Sequence, residues 1–274
     1  MTNSSHSRHA RSAGLLGWGT ARADLAAIAG MRKKLPAWAP ADTPGHFLKY
    51  SDEQTVLAVA AVDQAISSAE LDAKQFQNWS IVAAPRFIGR VAGVGTLARF
   101  DRGGGPAISP HVIPQHSLHS ISGALSILLS SRQPNFGVGG TGDSLAEGLF
   151  AALTFPAGNR AGVLLVATAW EPEPQLDAEG NCTNAPVCHA VALAVEATAT
   201  TKTSVCGNLH LSCGDGSIDA RRTVHWFENA AGLCNRLSAL IPGGPAGHFA
   251  WRLPWGAMLV LEARESIVGL KAAA

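Results

Sequence analysis

The sequence has little charge and no strong excess of either sign. Only 15% of its 274 residues are charged, against about a quarter in a usual soluble domain, and the formal net charge is +1. No basic face therefore argues for nucleic acid as a partner. The low charge indicates either a surface that a partner covers or a coding bias towards alanine and glycine. Since 47% of the residues are apolar, the chain can bury a sizeable core.

Paired cysteines and long apolar runs are also lacking. The five cysteines, at 182, 188, 206, 213 and 234, form no C-x-x-C pair, and their odd number argues against a disulfide framework or a zinc site. We therefore expect a reduced, cytoplasmic location. The polar N-terminus has no apolar run of the kind that a signal peptide needs. No apolar stretch reaches about 18 residues, so we expect no membrane insertion.

Two groups of residues could be mistaken for functional sites. His111, His116 and His119 lie close together in sequence, but no carboxylate or cysteine is nearby to complete a metal site, so we expect solvated or interface histidines. Glu171 and Glu173 lie in a proline-rich loop, where solvated carboxylates are commoner than a glycosidase pair. We expect neither a metal nor a cofactor.

The most informative stretch spans residues 133–153, Q-P-N-F-G-V-G-G-T-G-D-S-L-A-E-G-L-F-A-A-L. A short extended run precedes three glycines within residues 139–142, and leucines then recur at helical spacing. Ser144 and Glu147 have the spacing of a capping box. The stretch predicts a strand, a tight turn and a buried helix. Such turns hold a nucleophile in several enzyme classes, because the helix N-terminus stabilises negative charge, but here the middle of the turn is Gly142.

A plain glycine-rich turn between strand and helix explains the same residues. G-G-T-G-D-S is not followed by lysine, so it does not fit a phosphate-binding Walker loop. It is also not G-x-S-x-G, the nucleophile turn of the α/β-hydrolases.

The order of the surrounding motifs is more specific than the turn alone. G-G-G-P lies at 103–106, I-S-P-H-V-I-P at 108–114, a helix rich in small residues at 120–129, and a buried strand at 161–168, which ends near Glu171. This order resembles the N-terminal half of a β-ketoacyl synthase of the thiolase fold, over about residues 52–197. Gly142 then occupies the position of the nucleophilic cysteine. The family's histidine motifs, H-G-T-G-T and G-H-x-x-G, are missing, which implies that this chain cannot carry the usual condensation.

The resemblance implies an α/β fold of thiolase-like α-β-α layers. We expect residues 1–12 to be a disordered lead and 13–274 to form one domain. Within it, 13–197 is the half that matches best and 198–274 is an abbreviated second half. Other predicted elements are strands at 15–20, 79–84, 187–197, 209–213 and 257–263, helices at 24–31, 52–66 and 223–240, and a helix or loop at 87–100.

The resemblance also implies a function. Short chains without the cysteine are similar to the chain-length factors of type II polyketide systems and of aryl-polyene synthases. Such a chain pairs with a full-length ketosynthase, meets the acyl carrier protein through that complex, and shapes the acyl tunnel. Polyketide factors often have glutamine where this chain has Gly142, which argues against a decarboxylase role. The implied interface or tunnel residues are Val112, Ile113, Gln115, His116, Ile121, Phe136 and Val138, although ordinary packing explains any one of them.

Two alternatives stay open. The chain could be an independent acyltransferase or hydrolase that uses Ser144, Asp143 and one of ten histidines. A helix N-cap explains Ser144 as well, and no histidine is placed by sequence to act as its base. The other alternative is a structural homodimer with no catalytic partner.

Overall fold

The computed structural model describes residues 11–139, 144–155, 162–196, 206–212, 225–226 (backbone only), 229–240, 245–254 and 256–264. The strands are β1 (Arg11–Asp24), β2 (Trp79–Pro85), β3 (Asn135–Gly137), β4 (Gly162–Glu171), β5 (Val187–Glu196), β6 (Gly207–Ser212), β7 (His225–Trp226), β8 (Gly247–Arg252) and β9 (Met258–Ala263). The α-helices are α1 (Leu25–Met31), α2 (Glu53–Ser68), α3 (Arg90–Gly103), α4 (Val112–His116), α5 (Ser120–Leu128), α6 (Ser144–Thr154) and α7 (Ala230–Leu237). Short 3-10 helices span Ala73–Asn78 and Gly105–Ala107.

The strands form one mixed sheet of nine, in the order β3-β2-β4-β5-β1-β6-β9-β8-β7. β2 is parallel to β3 and β4, and β7 is parallel to β8, while the other neighbours are antiparallel. β1 is long enough to pair with β5 along most of its length and with β6 at its first residues. It therefore joins the two parts of the sheet.

The two parts of the sheet repeat one arrangement, although no internal repeat is evident in the sequence. In the first, β2 is parallel to β4, followed by antiparallel β5 and β1; in the second, β7 is parallel to β8, followed by antiparallel β9 and β6. α6 precedes β4 as α7 precedes β8. Residues 25–78, between β1 and β2, hold two α-helices, whereas residues 213–224, between β6 and β7, are a much shorter connection that lies outside the described residues.

Helices cover both faces of the first part of the sheet. α1, α2 and α5 pack on one face, and α6 and α7 pack on the other. Nine of the ten residues of β4 are buried, from Gly162 to Trp170, as expected for a strand that is covered on both sides. Gly19 of β1 permits this packing, because a Cβ there would clash with the backbone of Ala61 in α2.

Most of the predicted elements in the first 197 residues are confirmed. α2 begins after Asp52, which caps it, and strands cover the predicted run at 79–84 and residues 187–196 of the run predicted at 187–197, whose last residue lies outside the described ones. The first strand is longer than predicted and begins at Arg11, inside the predicted lead, whereas residues 1–10 lie outside the described ones. The domain boundaries stay predictions.

The predictions in the last quarter are less accurate. The helix predicted at 223–240 is wrong at its start, because 225–226 form β7 and Asn229 caps a helix that spans only Ala230–Leu237. β8 was not predicted. It pairs with β9 through all of its residues, so this tertiary pairing defines it more than its own sequence pattern does.

Candidate functional site

The predicted strand and helix flank the glycine turn. β3 (Asn135–Gly137) lies at one end of the sheet, and α6 begins at Ser144. Gly140, Thr141, Gly142 and Asp143 lie outside the described residues. The position of Gly142 at the site of a nucleophile is therefore a prediction from the sequence.

Ser144 is poorly placed to act as a nucleophile. Only 3% of it is exposed, since it packs at the start of α6. Among the described residues, no histidine hydrogen-bonds to its hydroxyl group. A substrate carbonyl could not reach this hydroxyl group unless its surroundings moved.

Three of the four thiols in the described residues are also unsuited to nucleophilic attack. Burial raises the pKa of Cys188 well above its usual value, and burial also raises the pKa of Cys234. Burial raises the pKa of Cys206 to about 12. Since the thiolate is the nucleophile, these three groups are unreactive at neutral pH.

The residues predicted for the interface or tunnel fall into separate environments. Val112, Gln115 and His116 are half-buried in α4, and Ile113 in the same helix is 77% exposed. Ile121, in α5, is instead completely buried in the core that α5 shares with α2, so it offers no surface to a partner.

Phe136 lies in the edge strand β3, and Val138 follows that strand directly. Both pack against the core on the face of the sheet that α6 and α7 cover. The ring of Phe136 contacts the ring of Phe155, with 4.8 Å between the centroids. These two predicted residues are therefore partly buried within the chain itself.

An apolar surface lies on the segment before β3. Six of the seven large apolar side chains that are exposed in the described residues belong to residues 87–127: Phe87, Leu97, Phe100, Ile113, Leu118 and Ile127. We call them the 87–127 apolar surface. None of the residues of α3, all of them described, is buried. The backbone of Leu118 contacts Gly137 of β3, which places this one residue of the surface beside the edge of the sheet.

A buried carboxylate supports this segment. Asp52, which is 2% exposed, caps α2 by accepting the Gln54 N–H at its Oδ1 atom, over 2.8 Å. Its Oδ2 atom accepts the Gly89 N–H over 3.0 Å and lies 3.3 Å from His116 Nδ1. The sequence indicated Asp52 only as the start of a helix.

Two further carboxylates form ion pairs. Glu173, predicted to be solvated, binds Arg86 over 3.3 Å and also Arg90 at the start of α3. Glu53 binds Arg32 over 2.6 Å. The net effect of its surroundings, chiefly burial and the neighbouring charge of Asp52, raises the pKa of Glu53.

The three neighbouring histidines do not converge. His116 contacts Asp52, His119 lies 3.3 Å from the Ser122 hydroxyl group, and His111 is exposed. Within the described ranges, no group of three or more histidine, cysteine or acidic residues could hold a metal ion. None of the helices described above is long and apolar enough to cross a membrane.

Solved structures match this architecture. One, a type II polyketide synthase acyl-carrier protein in complex with its ketosynthase bound to the hexaketide, aligns with a TM-score of 0.62 and 12% identity. A β-ketoacyl synthase from Burkholderia phymatum STM815 aligns with a TM-score of 0.57 and 11% identity, and the ishigamide ketosynthase/chain length factor with 0.53 and 15%. Each alignment covers 93% of this chain and 99% of the matched chain.

This chain has the thiolase-like fold of the ketosynthases. At these identities the comparison establishes the fold and not the activity. No protein-family model and no curated protein matches the sequence. The α/β class and the resemblance inferred from the motif order are confirmed.

Proposed function

We propose that this chain is a non-catalytic ketosynthase-like subunit, of the chain-length-factor type. It would pair with a full ketosynthase in polyketide-type or fatty-acid-type chain elongation, including that of the aryl-polyene systems. The observation that carries the proposal is a ketosynthase fold without its nucleophile. All five cysteines lie at or after residue 182, so none can occupy the turn between β3 and α6. The partner would supply the cysteine and both histidines.

The 87–127 apolar surface supports a protein partner. Leu97 of α3 is 67% exposed and Ile113 of α4 is 77% exposed. A contiguous exposed apolar patch is typical of an interaction site, and we propose that these side chains form one. α3, which buries no residue within the chain, would gain its burial from the partner.

The edge of the sheet supports a partner of similar fold. β3 is bonded to β2 on one side and is the last strand of the sheet. An edge strand presents unpaired backbone groups to which a second strand can bond. We propose that the partner ketosynthase pairs along this edge and covers the 87–127 apolar surface.

The tunnel residues follow from this arrangement. Val112, Ile113 and Gln115 lie on the helix of the proposed interface and could face the acyl chain held by the partner. Phe136, in the edge strand, and Val138, directly after it, would support this edge from within the chain, since both pack against its core. The acyl carrier protein would reach this subunit only through the complex. A reduced, cytoplasmic location fits such a role.

Co-expression with a full ketosynthase tests the proposal. We expect a stable one-to-one complex by pull-down and sizing, which condenses malonyl units and loses that activity when the partner's cysteine is replaced. A chain that stays a homodimer and ignores every ketosynthase would contradict the proposal. So would a lone chain with acyl-transfer activity that Ser144→Ala abolishes.

A further inference from the structure

One carboxylate oxygen holds both ends of the segment that carries α3 and α4. Asp52 Oδ2 accepts the N–H of Gly89, where α3 is capped, and lies 3.3 Å from His116 Nδ1, at the end of α4. The carboxylate is buried, so water does not compete for these contacts. Hydrogen bonds to an ionised acceptor are stronger than those between neutral groups.

The two ends of the segment also touch directly. Gly89 has a positive φ of 76°, and a Cβ at this position would lie 2.5 Å from the carbonyl oxygen of His116. Only glycine adopts this backbone conformation without strain and leaves room for the contact. Residues 89–116 therefore leave and rejoin the body of the protein at one point.

The rest of the segment has few attachments. Arg90 binds Glu173, and Gly95 of α3 lies so close to Gly180 that a Cβ on Gly180 would be 2.7 Å from the Gly95 Cα. No residue of α3 is fully buried, and Val91, at its start, is only partly buried against the core. The buried contacts of the segment are thus those at its two ends, where Asp52, Gly89 and His116 meet.

We infer that Asp52 is a positioning residue, whose Oδ2 atom sets the orientation of residues 89–116 on the body of the protein. In doing so it places Leu97, Phe100 and Ile113 where a partner can meet them. The orientation follows from the geometry of this chain, while the benefit to a partner rests on the proposed function.

The two oxygens of Asp52 have separate tasks, which makes a selective test possible. Oδ1 caps α2, and Oδ2 holds the segment. Asp52→Asn keeps one oxygen for the cap, and asparagine is a good N-cap residue. The other oxygen becomes an amide that cannot accept the Gly89 N–H. Asp24→Asn is the matched control, because Asp24 caps α1 through Ala27 and does not contact the segment.

Hydrogen exchange of the purified chain is the measurement. In Asp52→Asn we expect amides within 90–116 to exchange roughly tenfold faster or more, a size typical of losing a hydrogen bond to a charged group, while α2, β4 and β5 keep their protection. Asp24→Asn should leave residues 90–116 unchanged. Unchanged exchange there in a folded Asp52→Asn variant would overturn the inference.

A second variant covers the case in which Asp52→Asn does not fold. Gly89→Ala leaves the carboxylate intact but separates the two ends of the segment, so the same local acceleration is expected. No acceleration, or collapse of the whole fold in both variants, would overturn the inference, because a positioning residue must leave the core intact. If wild-type chain binds no ketosynthase, the proposed function fails, but the exchange result still decides the role of Asp52.

Discussion

The exposed side chains of α3 and α4 should supply binding energy to the proposed complex. Fully burying a leucine or isoleucine contributes about 1.5–3 kcal/mol. Leu97 and Ile113 are 67% and 77% exposed, so each would gain about 1–2 kcal/mol on binding, in proportion to that figure. The double variant Leu97→Ala and Ile113→Ala should thus weaken the complex by about 2–4 kcal/mol, or roughly 30-fold to 1000-fold.

The assay is dissociation of the co-purified complex on dilution, followed by mass photometry. Tyr50→Ala is the control, because Tyr50 is 60% exposed but lies outside residues 87–127. Circular dichroism checks that each variant is folded. The proposed surface is refuted if the double variant dissociates like wild type, or if Tyr50→Ala weakens the complex as much.

Three further predictions concern the core, the Glu53 carboxylate and the alternative nucleophile Ser144. Gly148→Ala should lower the free energy of unfolding by about 1–3 kcal/mol, because a Cβ on Gly148 would lie 2.6 Å from the Ala84 Cβ. Urea unfolding measures this change. Gly93→Ala is the control and should not destabilise the fold, because a Cβ on Gly93 would have no atom within 4 Å. Because the pKa of Glu53 is raised in the folded state, protonation of this group stabilises the folded state. This contribution is complete below the ordinary pKa of glutamate and is lost as the pH rises through the raised value. Glu53→Gln should remove that loss, and equal pH dependence in wild type and variant would contradict it. Ser144→Ala should leave the activity of the complex unchanged; a loss of acyl transfer would restore the enzyme alternative.

Sequence patterns were sufficient to predict an element where its apolar residues recur regularly or form a continuous run. The helix predicted at 52–66 matches α2, where valines recur at helical spacing, and the strand predicted at 161–168 matches β4, an apolar run that is buried on both faces of the sheet. β8 lacks such a signal, because its identity depends on pairing with β9. The helix predicted at 223–240 is longer than α7, because apolar residues at helical spacing also precede the cap at Asn229.

The site was only partly predictable. The contacts of Asp52 with Gly89 and His116 join residues 37 and 64 positions apart, and no local pattern indicates such a pairing. Ile121 was assigned to the interface from the resemblance alone. Its helical spacing with Leu125 predicts burial on one face, and the structure shows that burial.

The proposed non-catalytic role would account for the uneven distribution of structure between the two parts of the sheet. The first part has helices on both faces, an edge strand and the 87–127 apolar surface, all of which a pairing subunit needs. In the second part, buried leucines of β6 alternate with partly buried polar residues. The leucine face of β6 packs in the same core as α6 and α7, and its polar face is partly buried. A catalytic ketosynthase draws its histidines from the motifs that this part lacks. Under the proposed function the partner supplies the active site, and the inner face of this part has only to close the core over α6 and α7.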